Sequence, residues 1–295
     1  MESISLLSPA KINLRLKVIG KRPDGCHDLS MIMTRISLAD EILLTKTDGG
    51  IKLRCDLLDP KADLQADLQG EKNLAFRAAR LFFEVSGVHG GVRIDLKKKI
   101  PIGSGLGGGS SNAATVLKGL GKIYEGGSPE VSITGPEWME RAKRLGADIP
   151  FFLTEGPQQV GGIGERCWPI ALPPLSLILI YPGVSMSTRT VFERYKSRLT
   201  GGGTVDSLPP AFKGLEKLLP FLENDLEAGV TELLPVVGQI REALLNEGAM
   251  KALMTGSGSA VFGIYENREL RDKAFGRFEG SRSSQWRVFP VEGID

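Results

Sequence analysis

"PIGSGLGGGSSNAA", residues 101–114, places five glycines among its first nine positions and then turns into helix-forming sequence. Glycine in rigid structure costs about 1 kcal/mol relative to alanine. The stretch therefore points to something that must come close to a bare backbone. Upstream, "GVRIDLKKK" (91–99) alternates Val92, Ile94 and Leu96 as a strand does; downstream, "SSNAATVLKGLGKIY" (110–124) has helical spacing, with Ser110 or Ser111 expected as its cap. A strand, a glycine-rich turn and a helix start suit an anion. Backbone N–H groups can face phosphate oxygens, and the helix terminus adds a favourable field.

Known phosphate loops can be tested against this stretch. A Walker A loop needs lysine after its last glycine, and none follows Gly108 or Gly109. G-x-G-x-x-G fits Gly103, Gly105 and Gly108, yet the first strand carries no such loop, and Glu125 falls in a glycine-rich turn instead of at a second strand end. The protein-kinase H-R-D and D-F-G motifs are absent.

Composition narrows the classes. The 295 residues are 41% hydrophobic and 24% charged with a net charge of +2, as in an ordinary globular protein large enough for two domains. Scattered Lys and Arg give no nucleic-acid or membrane surface. Cys26, Cys55 and Cys167 lack metal-ligand spacing, and their odd number fits a reducing, cytoplasmic setting. The start, "MESISLLSPAKINLRL", has no signal-peptide pattern, and "LILIYPGV" is too short to span a bilayer. Two histidines, His27 and His89, exclude a His-rich metal centre.

Along the chain, Ile12, Leu14, Leu16 and Val18 alternate as a half-buried strand, followed by a turn at Asp24-Gly25. Strands are expected around 41–45 and in "GIKLRC", and helices over 71–86 and in "GPEWMERAKRLG", with Pro136 in the first turn and a stop at Gly146. A boundary is expected within 155–174. "LSLILIY" reads as a buried strand, 198–212 as a loop, and 213–223 and 231–247 as helices, the second burying Leu233, Leu234, Val237, Ile240 and Leu244. The remainder reads strand, strand, helix, strand, which fits an α+β domain with helices on one face of a sheet.

The glycine loop resembles the ATP-binding loop of the GHMP small-molecule kinases. Further blocks, "SPAKINLRLKVIGKRPDGCHDL", "LGADIPFF", "YPGVSMSTRTVF" and "LMTGSGSAVFGIY", follow in the family's order over nearly the whole chain. They narrow the resemblance to the branch acting on a cytidyl-linked methylerythritol. The resemblance implies an α+β (α/β) two-domain fold: an N-terminal α/β nucleotide-binding domain over 1–165 and a C-terminal ferredoxin-like domain over 166–295, with the active site in the cleft between them. It implies ATP-dependent phosphorylation of the 2-hydroxyl of the erythritol moiety, in non-mevalonate isoprenoid precursor synthesis. Homoserine or mevalonate kinase activity, a non-catalytic nucleotide-binding protein and an NAD-dependent oxidoreductase are the alternatives.

By this resemblance, Lys11 and Asp148 take the catalytic positions. A carboxylate can accept the hydroxyl proton, and a lysine keeps it ionised. ATP falls to Pro101, Ile102, Gly103, Ser104, Gly105, Leu106, Gly107, Gly108, Gly109, Ser110 and Ser111, with Mg²⁺ assigned to Ser110 or Ser111 and to no protein-only cluster. Asn13, His27, Thr188, Phe192, Gly256 and Ser257 fall to the substrate, His27 reading a cytosine edge and Phe192 stacking on the base. Asn13 shares a strand face with Lys11. Where the family usually has tyrosine, this chain has Cys26, so one stacking ring is missing. Ser104 replaces a frequent glycine and Ser257 a common threonine. A small-molecule partner and a monomer or homodimer complete the expectation.

Overall fold

A computed structural model of the chain describes residues 2–23, 25–57, 68–124, 135–196, 208–280 and 286–295. In chain order the strands and helices are β1 (Ser3–Lys21), β2 (His27–Thr47), β3 (Gly50–Leu57), α1 (Leu74–Ser86), β4 (Gly91–Lys98), α2 (Gly108–Tyr124), α3 (Pro136–Leu145) and α4 (Ile149–Leu153). After them come β5 (Gln158–Gly162), β6 (Arg166–Pro169), β7 (Ser176–Tyr181), α5 (Thr188–Lys196), α6 (Leu215–Leu218), β8 (Glu223–Asn224), α7 (Glu227–Leu233), α8 (Val236–Asn246), β9 (Lys251–Met254), β10 (Val261–Tyr265), α9 (Arg268–Gly280) and β11 (Arg287–Ile294). Among the described residues, no helix is long and apolar enough to cross a membrane.

The chain forms two compact units that do not follow one cut in the sequence. The first comprises 1–10, 39–100 and 107–155; the second comprises 11–38, 101–106 and 156–295.

In the first unit β2 pairs antiparallel with β4, from Glu41 opposite Lys97 to Thr47 opposite Gly91, and β3 pairs parallel with β4. A parallel pair needs a long crossover, and α1 supplies it. Asn73 caps α1, its side-chain oxygen accepting the Ala75 N–H at 2.8 Å. Phe82 packs its ring against Phe83, Tyr124 and Trp138, joining α1, α2 and α3.

A buried polar network fixes the start of α2. Asp40 is fully buried; its carboxylate accepts the Lys99 and Ile100 N–H groups at 2.7 and 2.9 Å, the Asn112 amide at 2.8 Å and the Lys98 ammonium. Asn112 returns its oxygen to Lys98 at 3.0 Å and also donates to the Ser8 hydroxyl, which bonds Ser111 at 2.8 Å. Every member has a partner, so the buried charges are compensated.

In the second unit β11-β7-β10-β9 form an antiparallel sheet against which α8 and α9 pack. The chain order β7, helices, β9, β10, α9, β11 is the split βαββαβ pattern, as the terminal strand-strand-helix-strand reading expects. The glycine- and proline-rich 155–174 stretch holds the β5–β6 hairpin, and β5 pairs with β2 from Leu29 opposite Gly162 to Met33 opposite Gln158.

Several expectations are corrected. The helix after the glycine loop begins at Gly108, so Ser110 and Ser111 lie within its first turn and do not cap it. The expected 213–223 helix is only one turn, α6, then a 3₁₀ turn at Leu219–Phe221, because Pro220 lacks the N–H that would extend it. Pro235 likewise divides 231–247 into α7 and α8 and leaves Leu233 exposed, whereas Val237, Ile240 and Leu244 are buried. The strand around 41–45 is the end of the much longer β2. β1 is buried on both faces from Ala10 to Leu16, since its polar side chains have partners of their own. Gly25 turns with φ of +86°, while Asp24, Glu125 and 198–207 lie outside the described residues.

Two outcomes test this account. Asp40→Ala leaves the Lys98 charge buried without its carboxylate and is expected to lower unfolding stability by about 3–5 kcal/mol; a loss below about 1 kcal/mol in denaturant titration contradicts it. Burial pushes the Cys55 thiol up to about 11, while Cys26 is exposed. At pH 8 a thiol reagent is therefore expected to label Cys26 in the native protein and Cys55 only after unfolding, with peptide mapping as the check.

Candidate active site

Within the second unit, two glycine turns meet beside β1. The first is 101–106; the second, 255–260, joins β9 to β10. Gly105 has φ of +80°, and a Cβ there would lie 2.4 Å from the Thr255 carbonyl oxygen and 3.1 Å from the Gly258 nitrogen. No side chain fits that gap, and the conformation itself disfavours one. The turns are also bonded: Ala260 N–H donates to the Ser104 carbonyl at 3.2 Å, and Ser104 Oγ closes its own turn on the Pro101 carbonyl at 2.6 Å. The Ile102 carbonyl accepts from the Tyr181 hydroxyl, and the Gly103 carbonyl from the Met186 N–H.

β1 delivers Lys11 and Asn13 to the same place. Lys11 is 4% exposed; its N–H donates to the Leu106 carbonyl at 3.0 Å and its ammonium to Asn13 Oδ1 at 2.5 Å. Asn13 donates its backbone N–H to Thr255 Oγ1 at 2.9 Å and its amide to Met31 Sδ at 3.3 Å. Gly256 has φ of +57°, and a Cβ there would come within 3.2 Å of Lys11 Nζ. The alternation of β1 thus places Lys11, Asn13 and Arg15 on one face, against the second glycine turn and Glu223. Arg15 donates from Nε to Glu223 at 2.8 Å.

The remaining second-unit candidates form two pairs. Thr188 and Ser257 share a hydroxyl–hydroxyl bond at 2.9 Å. His27 and Phe192 stack with ring centroids 5.2 Å apart and planes at 24°. The ring beside Phe192 is therefore His27, and Cys26 is exposed.

Leu106, which ends the second unit's 101–106 stretch, is buried. The first unit holds the other candidates: Gly107 has φ of +69°, after which Gly108 and Gly109 open α2. Ser111 is buried and bonded to Ser8, whereas Ser110 is part-exposed, with its hydroxyl beside Gly146. Asp148 is part-exposed at the N-cap position of α4, where it makes no side-chain cap bond. Pro150 and the apolar Ile149, Phe151, Phe152 and Leu153 are buried and anchor this turn. Among the described residues no three His, Cys, Asp or Glu side chains group as a metal site.

Sequence reasoning did not find Thr255, Glu223, Asn224, Asp40, Lys98 or Asn112. Thr255 adjoins Gly256 in the glycine-rich stretch 255–260 and so carries a visible signal. The others are scattered polar residues whose partners lie far away in sequence.

Comparison with known proteins gives the family. Residues 73–156 match the GHMP kinases N terminal domain and residues 210–280 match GHMP kinases C terminal. A 4-diphosphocytidyl-2-C-methyl-D-erythritol kinase of Geobacter sp. (strain M21) is 40% identical over 284 residues, 96% of each chain. The chain belongs to the 4-diphosphocytidyl-2-C-methyl-D-erythritol kinases. A crystal structure of 4-(cytidine 5'-diphospho)-2C-methyl-D-erythritol kinase, 34% identical, superimposes with a TM-score of 0.79 over 99% of this chain and 100% of that one. A homoserine kinase from Cytophaga hutchinsonii, 17% identical with a TM-score of 0.69 over 100% of this chain and 95% of its own, shares the fold alone. The family's two-domain GHMP kinase architecture accords with the mixed α/β elements and the β-sheet described above.

Gly105→Ala should force the two turns apart and destabilise the protein by about 2 kcal/mol or more. Gly109→Ala, where the nearest atom to a Cβ is Leu74 Cδ1 at 3.4 Å, should be neutral or stabilising by up to about 1 kcal/mol, because alanine favours helix. Equal effects in thermal denaturation would contradict the close approach.

Proposed function

We propose that the chain transfers the γ-phosphoryl group of ATP to the 2-hydroxyl of 4-diphosphocytidyl-2-C-methyl-D-erythritol, giving the 2-phosphate and ADP. The observation that carries this reading is the junction of Lys11, Asn13 and the two glycine turns in a chain 40% identical to a kinase of that name. The family model supports ATP as donor.

In this reading the 2-hydroxyl oxygen forms a bond to the γ-phosphorus while the bond to the β–γ bridging oxygen breaks. The hydroxyl proton passes to the Asp148 carboxylate. The Lys11 ammonium, oriented by Asn13, holds negative charge as it develops. The backbone from Pro101 through Ile102, Gly103, Ser104, Gly105, Leu106 and Gly107 to Gly108, Gly109, Ser110 and Ser111 receives the phosphates, aided by the first turn of α2. His27 and Phe192 take the cytosine; Thr188, Gly256 and Ser257 take the remainder of the substrate.

Mg²⁺ suits hydroxyl oxygen and phosphate ligands together with waters, and it neutralises phosphate charge. Ser110 is the better protein donor of the two serines, since Ser111 already bonds Ser8 inside the network. We assign residues 1–165 and 166–295 as the family's two domains, with the two matched segments falling inside them. The small-molecule partner, cytoplasmic setting and monomer or homodimer state belong to the same reading.

A coupled ADP-release assay with Mg²⁺, ATP and each of three alcohols tests it. Turnover is expected with the cytidyl alcohol and not with homoserine or mevalonate; turnover with either of those alone refutes the substrate assignment. Asp148→Asn and Lys11→Met are each expected to lower kcat at least about 100-fold with ATP binding retained. A near-native rate in either variant removes that residue from the chemistry.

A further inference from the structure

The short segment "ENDLE", residues 223–227, serves none of the roles above, yet its side chains hold both β1 and the second glycine turn. β8 pairs parallel with β1, Arg15 opposite Glu223 and Leu16 opposite Asn224. Glu223 receives Arg15 Nε and a second guanidinium nitrogen, each at 2.8 Å. Asp225 donates its N–H to the Leu16 carbonyl at 3.0 Å and accepts the Val18 N–H on its carboxylate at 2.8 Å. Glu227, 8% exposed, accepts the Met254 N–H at 2.7 Å and an Arg241 nitrogen at 3.0 Å.

Asn224 lies at the centre of this segment. Its amide nitrogen donates to two carbonyls of the opposite segment, Met254 at 2.7 Å and Gly256 at 2.9 Å, and its oxygen accepts the Leu226 N–H at 3.0 Å. Both amide hydrogens and the amide oxygen are used. We infer that Asn224 is a positioning residue for phosphoryl transfer, fixing the Gly256 peptide against Lys11 and Asn13.

Geometry supports the link. The Gly256 peptide is held at its carbonyl by Asn224, its neighbour Thr255 receives the Asn13 N–H, and Gly256 sits closest to Lys11 Nζ of any glycine on that turn. Two directed bonds from one side chain fix both position and rotation of the peptide. Asparagine suits the task because it offers two donors and an acceptor at one short reach; aspartate of the same shape offers acceptors only.

The inference rests on the proposed function, and Asn224→Asp tests it with little change in volume. The variant turns a carboxylate toward two carbonyl oxygens, so both donor bonds are lost and repulsion replaces them. At pH 8, kcat for the cytidyl alcohol is expected to fall at least 10-fold, and the 251–260 peptide to exchange its amide hydrogens several-fold faster, with the α2 and β4 peptides unchanged. Lowering the pH protonates the new carboxyl, whose ordinary value of about 3.9 is raised by facing carbonyls, and restores one donor. The ratio of variant to native kcat should therefore climb several-fold from pH 8 to pH 6, a trend that a general loss of fold would not confine to this turn. Faster exchange without loss of kcat, loss of kcat without faster exchange, or neither, overturns the inference. If the native protein itself does not phosphorylate the cytidyl alcohol, the proposed function fails, and amide exchange alone decides whether Asn224 holds the turn.

Discussion

The approach of the Gly105 backbone to the Thr255 carbonyl is the constraint on which the arrangement of the second unit's two glycine turns depends. A Cβ would lie 2.4 Å from that oxygen, so the contact exists only because position 105 has no side chain. Around it, the Leu106 carbonyl meets the N–H of Lys11, the Ser104 carbonyl meets Ala260, and Thr255 Oγ1 meets Asn13. Two glycine turns and one strand thereby become a single hydrogen-bonded object. The Lys11 ammonium and the loop proposed to receive phosphate are then placed by one arrangement of backbone.

The other half of the design is the polar inventory of the buried strands. Buried charges are costly unless paired, and each unit pairs its own. In the first, Asp40, Lys98, Asn112, Ser8 and Ser111 tie β1, β2 and β4 to the start of α2. In the second, Arg15 and Glu223 secure β8 on β1. The same arithmetic separates the two serines of the loop: Ser111 is spent on structure, and Ser110 keeps its hydroxyl near Gly146.

Much of this was legible in the sequence because its signals are local. The glycine loop, the strand before it, the helix after it and the terminal strand-strand-helix-strand order each lie within a short window. Lys11 and Asn13 show their shared face through simple alternation. What escaped is non-local or depends on breakers. Pro220 and Pro235 cut helices whose apolar spacing looked continuous, and α2 starts at glycines that propensity alone would leave in the loop. Asp40 and Lys98 are 58 residues apart and Arg15 and Glu223 are 208 apart, so neither pair can be seen before the sheet order is known. The stack of His27 on Phe192 joins rings 165 positions apart and is equally invisible before the fold is known.

The most direct test of the account is a crystal structure of the protein with a non-hydrolysable ATP analogue, Mg²⁺ and the cytidyl alcohol. The account predicts phosphates against the 103–111 backbone, the metal touching Ser110, the acceptor 2-hydroxyl within hydrogen-bond reach of Asp148 and Lys11, and cytosine at His27 and Phe192. Phosphates bound away from the glycine loop, or a 2-hydroxyl out of reach of both Asp148 and Lys11, would contradict it.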